Sequence, residues 1–94
     1  MVALFRCMSW YVYILYSAKL NKTYVGMSSN LEARVTSHNI GVKGWTVRGR
    51  PWALIYSETF ESKAQALRRE KQLKSGVGRD HIRTVILPGY LRAT

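Results

Sequence analysis

A chain of 94 residues is enough for one domain and too short for two, and its 47% hydrophobic content is that of an ordinary globular protein. Fifteen Lys and Arg stand against five Asp and Glu, a net charge of +10. Such a charge repels itself in a folded chain and points to a polyanionic partner, nucleic acid first and an anionic membrane surface second.

The first residues, Met1 to Met8, are mildly apolar and too few for a signal peptide. Cys7 is the only cysteine, so an internal disulfide and a cysteine-based zinc site are excluded, and a reducing, cytoplasmic compartment is expected. No apolar run approaches the length of a membrane span. Trp10 to Tyr16 (WYVYILY) is aromatic and β-branched without Gly or Pro, as expected of a strand buried on both faces, with Tyr11, Tyr13 and Leu15 on one face and Val12, Ile14 and Tyr16 on the other. After a polar connector containing Asn21, Thr23 to Ser28 (TYVGMS) reads as a second strand, close enough to pair with the first as an antiparallel hairpin.

Ser29 and Glu32 have capping-box spacing and predict a helix from about Asn30 to His38, stopped by Asn39 and Gly41. Gly41 to Arg50 (GVKGWTVRGR) reads as a basic, glycine-rich mobile loop, and Trp52 to Phe60 as a third strand. Ser62 with Gln65 caps a second helix, Lys63 to Lys74, which Ser75 to Gly78 breaks. Periodicity leaves Asp80 to Leu87 open between helix and strand, and Pro88-Gly89 opens a tail. The layout is α+β, with helices on a small antiparallel sheet and a domain expected over residues 10–87 between extensions 1–9 and 88–94.

The acids are few: Glu32, Glu58, Glu61, Glu70 and Asp80, none at a spacing that builds a two-metal carboxylate site within one element. A hydrolase here needs an unusual acid or base, and tyrosine is the abundant candidate. Arg34 and His38 project from one face of the first helix beside Leu31 and Val35, suited to a phosphate or simply solvated. Glu70 falls on the inward stripe of the second helix with Ala66, Leu67 and Leu73. A carboxylate there is costly unless it binds a metal or pairs with Arg69, Lys74 or Arg34. In the glycine-rich loop, Lys43, Arg48 and Arg50 suit phosphates, and Trp45 suits either a stacked base or a core.

Tyr11-Val12-Tyr13 followed by Tyr24-Val25-Gly26 resembles the two half-motifs of the GIY-YIG nucleases, with Tyr11 where the name has Gly and Val25 for the central Ile. The likeness continues through Asn30-Leu31, Arg34 and His38-Asn39, then Arg50-Pro51-Trp52 with Leu54 and Tyr56, then Ala66-Leu67, Glu70-Lys71 and Leu73-Lys74. It runs from about Trp10 to Arg83 and is strongest to the small stand-alone bacterial members.

The resemblance implies the GIY-YIG fold, a three-stranded antiparallel sheet with helices in the order β-β-α-β-α-α. It also implies a metal-dependent endonuclease acting on DNA, structure-selective or weakly specific, in repair or recombination. By the same resemblance Tyr13 is the general base or positions the water, and Tyr24 lines the site. Gly26 allows close backbone approach, Arg34 neutralises the phosphate, His38 binds phosphate or carries a proton, and Glu70 holds one Mg²⁺ or Mn²⁺. Lys43, Trp45, Arg48, Arg50 and Lys74 are the expected nucleic-acid contacts. The positive field of the chain is expected to depress the Tyr13 pKa. The alternative is a non-catalytic nucleic-acid-binding module on the same fold. A monomer or weak dimer, with a protein partner supplying specificity, fits either reading.

Overall fold

The computed structural model describes residues 9–41 and 44–93. Strand β1 (Trp10–Ser17) pairs antiparallel with β2 (Lys22–Ser28) on one side and β3 (Trp52–Phe60) on the other, giving the order β2-β1-β3. The central place of β1 accounts for its run of apolar residues: Val12, Tyr13, Ile14 and Leu15 are all fully buried. Alternation divides them as expected. Val12 and Ile14 join Val25, Ala66, Leu73 and Ile82 in one core, while Tyr13 and Leu15 join Trp52, Leu31 and Val35 in a second. Removing each such side chain from water contributes roughly 1.5–3 kcal/mol. The hairpin turns through Asn21, whose φ of 53° is the left-handed conformation that Asn tolerates.

Helix α1 (Leu31–Ile40) covers the Tyr13 face. Its cap is Asn30 rather than Ser29: Asn30 Oδ1 accepts from the Ala33 N–H at 3.1 Å, and Ser28 Oγ holds the Asn30 N–H at 2.9 Å. The predicted Ser29–Glu32 capping box is displaced by one residue because Asn30 satisfies the orphan amide itself. The predicted loop after α1 is also revised, since Trp45–Gly49 forms a 3-10 turn. The Trp52 indole N–H anchors this turn by donating to the Thr46 carbonyl at 2.6 Å.

Helix α2 (Lys63–Lys74) begins with the predicted capping box, Ser62 Oγ accepting from the Gln65 N–H at 3.2 Å and Gln65 Oε1 from the Ser62 N–H at 3.3 Å. The break after it is narrower than predicted. Ser75 alone ends α2 and caps α3 (Gly76–His81), and Gly78 lies so close to α2 that a Cβ would sit 2.5 Å from the Leu73 Cα. A π turn (Ile82–Ile86) leads into α4 (Leu87–Ala93), so the undecided stretch from Asp80 is helical and Pro88-Gly89 does not open a tail. Proline lacks an N–H and crowds the carbonyl four residues earlier. The turn ahead of Pro88, in which the Leu87 N–H reaches the Ile82 carbonyl, is the wider i→i+5 form that leaves room for it. Tyr90 packs edge-on to Tyr16, with ring centroids 6.5 Å apart.

The second face of the sheet is bolted to α2 by charge. Arg69 Nε and Nη2 donate to the two Glu58 oxygens at 2.9 Å each, and the Tyr56 hydroxyl donates to the same carboxylate. Burial pushes the Glu58 carboxyl up, but the Arg69 and Tyr56 hydrogen bonds and the Arg69 charge outweigh it and hold it below its usual range. No helix among the described residues is long and apolar enough to cross a membrane.

Candidate functional site

The hairpin register sets Tyr13 opposite Gly26 and Leu15 opposite Tyr24, which puts both tyrosines on the α1 face. A Cβ on Gly26 would lie 2.5 Å from the Tyr13 Oη, 2.7 Å from its Cζ and 3.0 Å from Tyr24 Cε1. The missing side chain of Gly26 is therefore the space through which the Tyr13 phenol crosses β2. Sequence reading expected Gly26 to admit a close backbone approach; here the occupant is the phenol itself.

Helix α1 supplies the other wall. Leu31 and Val35 dock on the Tyr13 core and carry Arg34 and His38, one helical turn apart, toward the phenols. His38 is 9% exposed, and its Nε2 shares a 3.1 Å hydrogen bond with the Tyr13 hydroxyl. The His38 ring lies 4.7 Å from that of Tyr24, and the two tyrosine rings are 6.3 Å apart. Asn39 locks this end of α1 to β3, accepting from the Trp52 N–H at 2.7 Å and donating to the Trp52 carbonyl at 3.0 Å. Its role was missed in the sequence, where Asn39 read only as a helix stop. No local spacing marks a partner thirteen residues away.

Electrostatics corrects one expectation. The Tyr13 pKa is raised, not depressed: burial dominates, and the neighbouring Tyr24 and Glu70 add to it, while the hydrogen-bonding Arg34 guanidinium only partly opposes them. His38 is shifted down, first by burial and then by the Arg34 charge, so its imidazole is neutral at neutral pH. Arg34 can only donate toward the phenol oxygen, while the hydroxyl and His38 Nε2 share one proton between them, on the side that the imidazole tautomer sets.

Glu70 stands on α2 between the buried Ala66 and Leu73, and its side chain is 16% exposed. It pairs with Lys74 at 3.2 Å, not with Arg69, which is taken by Glu58. Its flanking residues Ala66 and Leu73 pack on the Val12 and Ile14 side of the sheet, opposite the α1 side, and of the influences on the Tyr13 phenol that of the Glu70 charge is the smallest. Among the described residues no three His, Cys, Asp or Glu gather into a cage for a metal. Mg²⁺ does not need one: it keeps several waters and takes one or two carboxylates together with substrate phosphate oxygens. A single largely buried carboxylate, paired among the described residues with a half-exposed lysine, fits that demand.

The expected nucleic-acid contacts fare differently. Lys43 and the side chain of Trp45 lie outside the described residues. Arg48 is exposed on the 3-10 turn. Arg50 is turned inward, its Nε donating to the His38 carbonyl at 3.1 Å, so it supports α1.

Comparison with known proteins agrees with this geometry. The sequence model described as the GIY-YIG catalytic domain matches residues 9–82. The UPF0213 protein of Staphylococcus haemolyticus is 46% identical over 67 residues, covering 69% of this chain and 79% of its own. That of Natronomonas pharaonis is 41% identical over 66 residues, covering 69% and 76%. The solution NMR structure of a UPF0213 protein from Bacillus halodurans superposes with a TM-score of 0.52 at 26% identity, covering 83% of this chain and 85% of that one. Through its half-motif hairpin, its three-stranded sheet and these relatives, the chain belongs to the GIY-YIG domain family.

Proposed function

We propose that this chain is a metal-dependent endonuclease that hydrolyses phosphodiester bonds in DNA, with Tyr13, Tyr24, Arg34, His38 and Glu70 as its site and residues 10–87 as its domain. The observation that carries the proposal is the Tyr13–His38 hydrogen bond of 3.1 Å beside the Arg34 guanidinium. It joins a phenol, a neutral base and a phosphate-binding cation in one cluster. Glu70 would hold one Mg²⁺ or Mn²⁺, which when bound supplies positive charge that stabilises the phosphate and the leaving oxygen.

The chain's own residues would do the rest. Tyr13 is sealed from solvent and Arg34 is exposed, so for water to meet the phenol the Arg34 guanidinium beside it would have to turn to the scissile phosphate as substrate enters. Tyr13 then takes a proton from the attacking water as it passes its own to His38 Nε2. A relay of this kind suits a phenol whose pKa is raised and an imidazole whose pKa is lowered, since neither is charged at rest. The water oxygen forms the new bond to phosphorus, the bond to the leaving oxygen breaks, and that oxygen takes a proton from solvent. Tyr24 packs on His38 and keeps the imidazole aligned.

The test is nicking of branched and single-stranded DNA with Mg²⁺ or Mn²⁺ by wild type, Glu70→Ala and Arg34→Ala. Each variant should lose at least ~10² in rate, the usual worth of one charged contact to the transition state. Unchanged cleavage in both would refute the site. A second reading, a non-catalytic nucleic-acid-binding module, draws on the sealed phenol and on the engagement of Glu70 by Lys74. It predicts salt-sensitive binding without cleavage under any divalent ion.

A further inference from the structure

A cleft of about 770 Å³ opens between the edge of β2 and the α2–α3–π-turn side of the molecule. Four cations line it, Lys22, Lys74, Arg79 and Arg83, and no carboxylate does. They come from the hairpin, the end of α2, α3 and the π turn, so only the fold gathers them. Arg83 pairs with Asp80, but both side chains are about two-thirds or more exposed, and such a pair is worth little against a polyanion. Tyr24 and Lys74, the partner of Glu70, are among its lining residues, so the groove shares its lining with the surroundings of the candidate site.

We propose that this groove carries the sugar–phosphate backbone of the nucleic-acid strand leading away from the scissile phosphate. The inference rests on the nuclease reading for the scissile phosphate near Tyr24 and Lys74. All four of the groove's cations lie outside the basic loop between α1 and β3, and three of them, Lys22, Arg79 and Arg83, have no part in the proposed chemistry. Phosphates spaced along a flexible backbone match cations spread along a concave channel, whereas a membrane surface needs its cations on a plane that can meet it.

The experiment measures binding of labelled single-stranded and duplex oligonucleotides to the full chain in EDTA across a salt series. Arg79→Gln with Arg83→Gln should lower affinity on the order of tenfold and reduce the slope of log K against log salt by about 2, and Lys22→Gln by about 1. Arg68→Gln with Lys71→Gln removes the same charge from the exposed part of α2 outside the groove and should leave the slope nearly unchanged. Equal losses from groove and control pairs would overturn the groove, as would groove-dependent binding to phosphatidylserine vesicles that exceeds binding to either oligonucleotide. Because no cleavage is read, the two proposals separate. Loss of binding in the groove pair with no nicking by wild type leaves the groove standing and the nuclease reading refuted. Nicking that depends on Glu70, with groove variants binding as wild type, does the reverse.

Discussion

Gly26→Ala places one methyl group where the Tyr13 phenol now lies. The new carbon would sit 2.5 Å from the Tyr13 Oη, and ordinary contact needs about 3.5 Å, so the ring or the strand must yield by about 1 Å. The ring cannot swing away cheaply: Tyr13 is fully buried, and Gly26 is its direct partner across the hairpin. Overpacking of this kind costs roughly 1–3 kcal/mol, or about 4–8 °C of Tm per kcal/mol for a domain this small. The same displacement stretches the 3.1 Å bond to His38 out of hydrogen-bonding range, and a misplacement near 1 Å is worth about 10² in rate. Thermal unfolding by circular dichroism and single-turnover nicking should therefore both respond, with the rate loss persisting well below the variant's Tm. A Gly26→Ala protein as stable and as active as wild type would show that the phenol does not cross β2 over this glycine.

The lowered His38 pKa sets an acid limit on activity: the rate should fall only below the usual histidine value of about 6.5, and replacing His38 with Asn should remove that limb along with most of the rate. The same shift bears on stability. A histidine whose pKa is depressed by folding stabilises above about 6.5 and loses that contribution as pH falls toward its folded value, so the His38→Asn variant should show a flatter stability profile in this range. Arg69→Ala breaks the fork to Glu58 and should cost about 1–2 kcal/mol, discounted for partial exposure, read as a lower urea midpoint. Glu58 has its pKa lowered, so its stabilisation is present above the usual carboxylate range and vanishes as pH drops. The gap between wild type and Arg69→Ala should close in acid, and a gap that widens would contradict the pairing.

Much of the fold was legible because its signals are local. The unbroken apolar run of β1 announced a strand covered on both sides, and Ser62 with Gln65 announced the start of α2, since a capping box is complete within four residues. That Arg34 and His38 share one face of α1 followed from helical spacing, which left that face open between phosphate binding and solvation. What escaped depends on distance along the chain. Asn30 displaced Ser29 as a cap because strand-end Ser28 fixes its amide, and Arg50 looked like a phosphate ligand until α1 brought the His38 carbonyl to it. The positive net charge suggested an acidic phenol, but charge summed over a chain says nothing of burial, which decides the shift at Tyr13. Glu70 was left open between metal ligand and ion pair. The lysine contact answers only which cation holds it at rest.

The π turn ahead of Pro88 has a geometric consequence for the end of the chain. Relative to an unbroken α-helix it is one residue longer, and each residue of a helix is about 100° of rotation. Everything after Ile86 is thus turned by that angle, which is what brings the Tyr90 ring round to Tyr16. Removing a single residue from Ile82–Ile86 would restore ordinary winding, swing Tyr90 off the sheet and leave the outer side of Tyr16 bare. Helix content would barely change while the aromatic near-ultraviolet signal would.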